Sequence, residues 1–362
     1  MLKSNHFNLR EAGFTSLLLL LLFYAWMVFS LFYTRSDHYS REKTLFFLLN
    51  IAAFAVPFLY RGFKGRLFIR AFAWTTLILA LGLLPFQYFN ITQAVKTTAE
   101  EEMPVIAGLY LSLSGFLGLL VVLFLTAKEN IMGTRRLDIL MALGFILLML
   151  LLGARAPLMF SLGIYLLYYL FNLKEIRLGV KTRTLVILLV GFFCIIGAIV
   201  IMTRIDATHA LLSRTYNRFV SLFVGSSTDD GMDLSAQVRI NLYKDALNGI
   251  FSRIDQFLVG FGVGSFGIVT FGEDIRLYPH NIILEIWFEF GLIGLILFTL
   301  WLVYVLLSVR GQTHRWIGYW LLFYFFLNLM KSSSLVDIRT EFAFLGLFIA
   351  QHFIPHESVP SD

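Results

Sequence analysis

The apolar residues of this chain fall in ten long runs rather than in the short alternation of a strand or the narrow stripe of a surface helix. Their cores span roughly 14–33, 44–60, 68–87, 105–127, 137–152, 157–172, 185–202, 281–307, 316–330 and 341–355. A bilayer core of about 30 Å asks for about 20 apolar residues per helix, and these runs meet or approach that length. Lipid tolerates only helices and closed barrels, and runs this long without a two-residue period exclude a barrel. The pattern predicts an all-α, polytopic integral membrane protein of about ten transmembrane helices.

The connections divide the chain unevenly. Residues 1–202 hold the first seven spans, 203–280 form one long extramembrane loop, and 281–362 hold the last three spans and a tail. Connections beyond about 12–15 residues are commonly functional or disordered, and this loop is not low in complexity. Within it, 211–224 sets Arg214 and Arg218 four apart among apolar residues, as an interfacial amphipathic helix does. A second helical stretch, 235–251, follows a Gly/Ser/Asp-rich break at 225–231. No internal repeat is evident, which disfavours a transporter built from inverted repeats.

Composition agrees with the runs. The 362 residues are 58% hydrophobic and 14% charged, against about 25% charged in a soluble domain. Apolar residues fill the whole length, leaving no large soluble catalytic domain, and most cytoplasmic enzyme classes are excluded. Cys194, the only cysteine, lies within an apolar run, so there is no intrachain disulfide. The first run is too long for a signal-peptide core and lacks a small-residue cleavage site, so it is expected to remain as the first span.

The net charge of +6 does not point to nucleic acid, because the cations sit in short loops where they orient helices. With a cytoplasmic N-terminus, that side holds fifteen of the 29 Lys and Arg, and the short loops opposite hold seven, Lys43 among them. The bias predicts N-in and C-in, with the long loop in the periplasm.

Three features stand apart from ordinary loop chemistry. Arg155 lies between two apolar runs with almost no loop around it. It reads either as a snorkelling helix end or as a cation that binds an anion near the membrane surface. Arg239, in the helical stretch 235–251, reads either as part of a solvated face or as a second anion ligand. It precedes Gly260, Gly262 and Gly264, which lack the βαβ context of a dinucleotide site and instead suit a tight turn with close backbone approach. The third feature is 278–298, where His280 and Asn281 open the eighth span and Glu285 and Glu289 lie inside it. Asn281 suits a helix cap. A carboxylate at the depth of Glu289 must be paired, hydrated or protonated, and Glu285 and Glu289 share a helix face. Two arginines and a histidine on one membrane surface suit a lipid-linked phosphate or pyrophosphate, because guanidinium forks bind such oxyanions bidentately. No metal-ligand cluster is evident, and no cofactor is implied.

In these residues the chain resembles the bacterial O-antigen ligase and O-antigen polymerase superfamily of polytopic, GT-C-like glycosyltransferases. The resemblance rests on GAR with Arg155, QVR with Arg239, the glycines from Gly260 to Gly264, and the HN-led span with His280, Asn281, Glu285, Glu289, Gly291 and Gly294. It covers roughly 150–300. It implies a glycan donor on undecaprenyl pyrophosphate at the periplasmic face of the inner membrane, attacked by an acceptor hydroxyl without a metal. Arg155 and Arg239 would hold the pyrophosphate, with Arg214, Arg218 and Asn281 as further binding residues. His280 would activate the acceptor or contact phosphate, since imidazole's ordinary pKa of about 6.5 suits proton transfer at neutral pH. Glu285 is a second base candidate; Glu289, Gly291 and the loop glycines are expected to be structural. The acceptor would be another lipid-linked repeat unit for a polymerase of O-antigen or capsular polysaccharide, or lipid A core for a ligase. Membrane lipids and other polysaccharide-assembly proteins are the further partners implied. A transporter without chemistry would instead place its charges near the bilayer midplane.

Overall fold

The computed structural model describes residues 9–60, 63–94, 104–127, 129–152, 154–171, 234–310, 315–331 and 334–350. The expected span at 185–202 and the residues Cys194, Arg214 and Arg218 lie outside the described residues. The described chain is helical, with no strand. In order the helices are α1 Leu9–Ser30, α2 His38–Leu59, α3 Gly65–Ala94, α4 Pro104–Thr126, α5 Arg135–Leu151 and α6 Arg155–Phe171. They continue with α7 Leu234–Ile250, α8 Ile254–Val259, α9 Phe266–Phe271, α10 Ile282–Arg310, α11 Arg315–Lys331 and α12 Arg339–Ala350. Among the described residues, four helices are long and apolar enough to cross a membrane, within α1, α2, α3 and α10. Shorter apolar helices lie at 112–126, 156–171 and 317–331.

The chain forms two compact units, one of residues 1–66 with 233–362, the other of residues 67–232. In the second unit α4 packs against both α5 and α6, with every residue from Leu119 to Leu125 buried. Arg135 closes the end of α4, its guanidinium donating to the carbonyls of Phe124, Leu125 and Ala127 at 2.7, 3.1 and 3.0 Å. A cation at the end of a helix serves both its orphan carbonyls and its dipole. Thr134 caps the start of α5, and the buried Asp138 accepts from the backbone N–H groups of Ile131 and Met132.

In the first unit α1, α2, α10 and α12 share a core of aromatic rings. Phe23 of α1 meets Phe47 of α2 and Phe290 and Phe298 of α10 with centroids 5.3 to 5.6 Å apart, all edge to face, the arrangement the ring quadrupole favours. Trp301 meets Phe54 edge to face at 5.6 Å and Phe342 in a tilted arrangement at 4.8 Å. Among the buried positions of α2, Ser40, Lys43, Thr44, Phe47, Asn50, Ile51 and Phe54 follow the three-to-four spacing of one helix face.

The structure corrects the reading of Lys43. The cation assigned to a short loop belongs to α2 and is completely buried. α2 begins six residues before the apolar run at 44–60 because its cap comes from far along the chain. Its own N-cap residue, Asp37, makes no capping bond with its side chain. Asp274 instead accepts from the N–H groups of Asp37 and His38 at 2.9 and 2.8 Å and from the Ser36 hydroxyl at 2.6 Å. Burial pushes the Asp274 carboxyl up, but these hydrogen bonds outweigh it and hold the group below its ordinary 3.8. A depressed carboxyl contributes stability above its unfolded pKa and loses it as pH falls through the folded one. Asp274→Asn is therefore expected to cost about 1 kcal/mol at neutral pH, in the range of a lost cap. The gap from wild type should close on acidification below about pH 4. Thermal unfolding in detergent across that range checks this, and a gap that persists at low pH would refute it.

Candidate functional site

The site begins at the entry to α10. Tyr278, Pro279 and His280 lead into the helix, and Asn281 caps it. The Asn281 side-chain oxygen accepts from the N–H groups of Ile283 and Leu284 at 3.0 and 3.2 Å, and its carbonyl accepts from Glu285 N–H at 2.9 Å. Among the described residues, His280 is the one non-glycine residue with positive φ, at 53°. Left-handed backbone is uncommon outside glycine and tends to persist where the surroundings over-determine it, often at functional positions. The ring of Tyr278 lies 4.5 Å from that of His280. Burial pushes the Tyr278 hydroxyl up to about 12, so it stays neutral beside the imidazole.

One turn below, Glu285 and Glu289 are completely buried, and they face the same cation. Lys43 Nζ donates to Glu285 Oε1 at 2.5 Å and to Glu289 Oε1 at 2.7 Å. Glu285 also accepts from the Ser334 hydroxyl at 2.7 Å and from Leu335 N–H at 3.1 Å. The requirement that an intramembrane carboxylate find a partner is met by a lysine some 240 residues earlier in sequence. Glu285 thus spends both oxygens on bonds inside the protein.

At the foot of this stretch α10 is broken rather than continuous. Gly291 has φ 64° and ψ −169°, a region essentially restricted to glycine. In an apolar surrounding, carbonyls near such a break need partners. The carbonyls of Phe288 and Glu289 accept from Phe261 and Gly262 N–H at 2.9 and 2.8 Å, and that of Phe290 accepts from the Trp26 indole at 3.0 Å.

The segment that serves them is the glycine-rich loop between α8 and α9. Gly260, Gly262 and Gly264 all have positive φ. A Cβ on Gly260 would fall 2.5 Å from Gly291 N, and one on Gly262 would fall 2.6 Å from Thr34 Cα. These glycines let the loop lie against α10 and the end of α1. Thr34 donates its hydroxyl to Val263 O at 2.8 Å, and Val263 N–H donates to Ser30 Oγ at 3.0 Å.

Arg239 lies on α7, in the same unit as His280. Leu242, Ala246 and Ile250 of α7 are buried against Phe266 and Phe288. Arg239 stands three residues before Leu242, so it extends that packed stripe toward the start of the helix, between the exposed Val238 and Ile240. Arg155 belongs to the other unit. Its backbone opens α6 right after the short turn that ends α5, at a helix N-terminus, where backbone N–H groups and the dipole favour anions. Among the described residues no three His, Cys, Asp or Glu side chains gather as metal ligands would.

Sequence reasoning missed Lys43, Ser334 and Asp274. The signal for Lys43 was its place on the stripe shared with Phe47, Asn50 and Phe54. Ser334 and Asp274 act from turns with no periodicity to mark them.

No curated protein matches the chain significantly. Residues 139–299 match the family described as O-antigen ligase, a stretch that includes Arg155, Arg239, the loop glycines, His280, Asn281, Glu285, Glu289 and Gly291. The protein is thus a helical membrane protein whose residues 139–299 are similar to the O-antigen ligase family.

Proposed function

We propose that this protein is an inner-membrane glycosyltransferase that polymerises undecaprenyl-pyrophosphate-linked repeat units at the periplasmic face. The glycosyl-transfer part of the reading is supported by one observation: the family match spans all the positions whose chemistry suits a diphosphate donor. In the reaction an acceptor hydroxyl oxygen attacks the anomeric carbon. The bond from that carbon to the pyrophosphate oxygen breaks, and undecaprenyl pyrophosphate leaves with the electron pair. Arg155 and Arg239 carry the charge that grows on the leaving group, the kind of electrostatic stabilisation that dominates many enzymes. His280 receives the acceptor proton or contacts phosphate. The two oxygens of Glu285 are bonded to Lys43, Ser334 and Leu335, which favours His280 over Glu285 as the base. Asn281 acts through its cap, holding the His280 turn.

The description of the matched family favours a second reading, a ligase that moves the finished chain onto lipid A core. Deleting the gene separates the two. Loss of a polymerase leaves single repeat units joined to their acceptor on a surface-glycan gel. Loss of a ligase leaves long chains on the undecaprenyl carrier. An unaltered surface glycan and lipid-linked pool would refute both.

A further inference from the structure

The cluster of Lys43, Glu285 and Glu289 performs no step of the proposed transfer, yet it sits under the residue that does. A buried ion cluster is weak support for stability, and its best-attested use is to fix one arrangement among several. Here the arrangement it fixes is the upper part of α10. Glu285 is one turn from Asn281, whose carbonyl accepts its N–H, and His280 immediately precedes that cap in left-handed backbone. Lys43 spans Glu285 and Glu289, which sets the rotation and height of the first two turns against α2. Ser334 and Leu335 hold Glu285 from another segment, and Trp26 holds the foot at Phe290. Asp274, six residues before His280, caps the helix that carries Lys43. The turn of His280 and the lysine are therefore tied to each other at both ends of the same short loop.

Resting on the reading of His280 as a group that meets the acceptor or phosphate, we propose that Lys43 is a positioning residue for glycosyl transfer. It lies outside the family-matched stretch of 139–299 and orients the imidazole through Glu285, Glu289 and the first turns of α10.

The test uses the full chain in proteoliposomes, with undecaprenyl-pyrophosphate glycan extracted from the gene-deleted strain as donor. Lys43→Met alone leaves two buried carboxylates without their cation, so it is paired with Lys43→Met/Glu289→Gln. The double variant keeps the formal charge of the intact cluster and leaves Glu285 on Ser334 and Leu335. The double variant is expected to accumulate normally and to lose about 100-fold in kcat, the scale of a misplaced reacting group, with donor KM unchanged. Wild-type kcat in the double variant would overturn the role. So would a rise in KM at constant kcat, which would make the cluster part of donor binding. Failure of the double variant to accumulate would assign the cluster to folding alone and equally overturn it. A wild-type chain that transfers no glycan would remove the glycosyltransferase reading, and the inference with it.

Discussion

Gly291→Ala is expected to abolish accumulation of the protein in the membrane. The φ of 64° and ψ of −169° at this residue cost an L-residue on the order of 1–3 kcal/mol. The space is also taken, because the new Cβ would meet Leu258 C and O and Val259 N, backbone atoms that cannot swing aside. Overpacking of this kind adds roughly 1–3 kcal/mol. If the loop retreats, the carbonyls of Phe288 and Glu289 lose Phe261 and Gly262 as donors, at roughly 1 kcal/mol or more for each group left unsatisfied. The sum approaches the low end of the roughly 5–15 kcal/mol that holds a typical domain together. Gly144→Ala is the matched control, since a Cβ there meets nothing within 4 Å and alanine is the better helix former by about 1 kcal/mol. Immunoblots of membranes and thermal unfolding in detergent read both variants. A Gly291→Ala protein as abundant and as heat-resistant as the control would show that the break in α10 is dispensable.

That break also marks the limit of what the sequence reveals. Hydropathy placed α4, α5 and α6 within two residues of their observed ends, and helical spacing placed α7 within one, because each is set by a local run and local caps. The run at 281–307 gave no sign of its interruption. Gly291 sits among residues as apolar as those of an unbroken span, and what lies against the break there is the backbone of Leu258 and Val259 at the end of α8. The same distinction separates the charges. Glu285 and Glu289 were legible as partners on one helix face, since i and i+4 is a property of the helix itself. Their counter-ion was not, because the pairing with Lys43 is made only when α1, α2 and α10 close on their common core of phenylalanines. Lys43 was counted among the cations of a short loop, although the residue turns with Ser40 and Phe47 to the inside of α2. His280 was singled out by residue type and position, and its left-handed backbone became visible only in the folded turn.

The largest functional effect is expected for the two arginines, each exchanged for lysine. Arg155→Lys and Arg239→Lys retain the positive charge and remove the planar fork that grips two oxyanion oxygens at once. Each exchange should lower transfer about 100- to 1,000-fold, the scale set by removing one donor to a developing oxyanion. The loss should fall on kcat, since the charge to be stabilised is greatest as the pyrophosphate departs. Stability should not follow. Arg239 stands partly exposed near the start of α7, above the buried residues that hold that helix in place, and Arg155 is the first residue of α6. Lys244→Arg, on the exposed side of α7, supplies the control for a cation exchanged outside the site. Turnover of lipid-linked donor by each purified variant, divided by its abundance, gives the measure. An arginine whose lysine variant turns over at the wild-type rate does not hold the pyrophosphate, because charge alone would then be enough. A variant that loses activity only in proportion to its abundance belongs to the fold and not to the reaction.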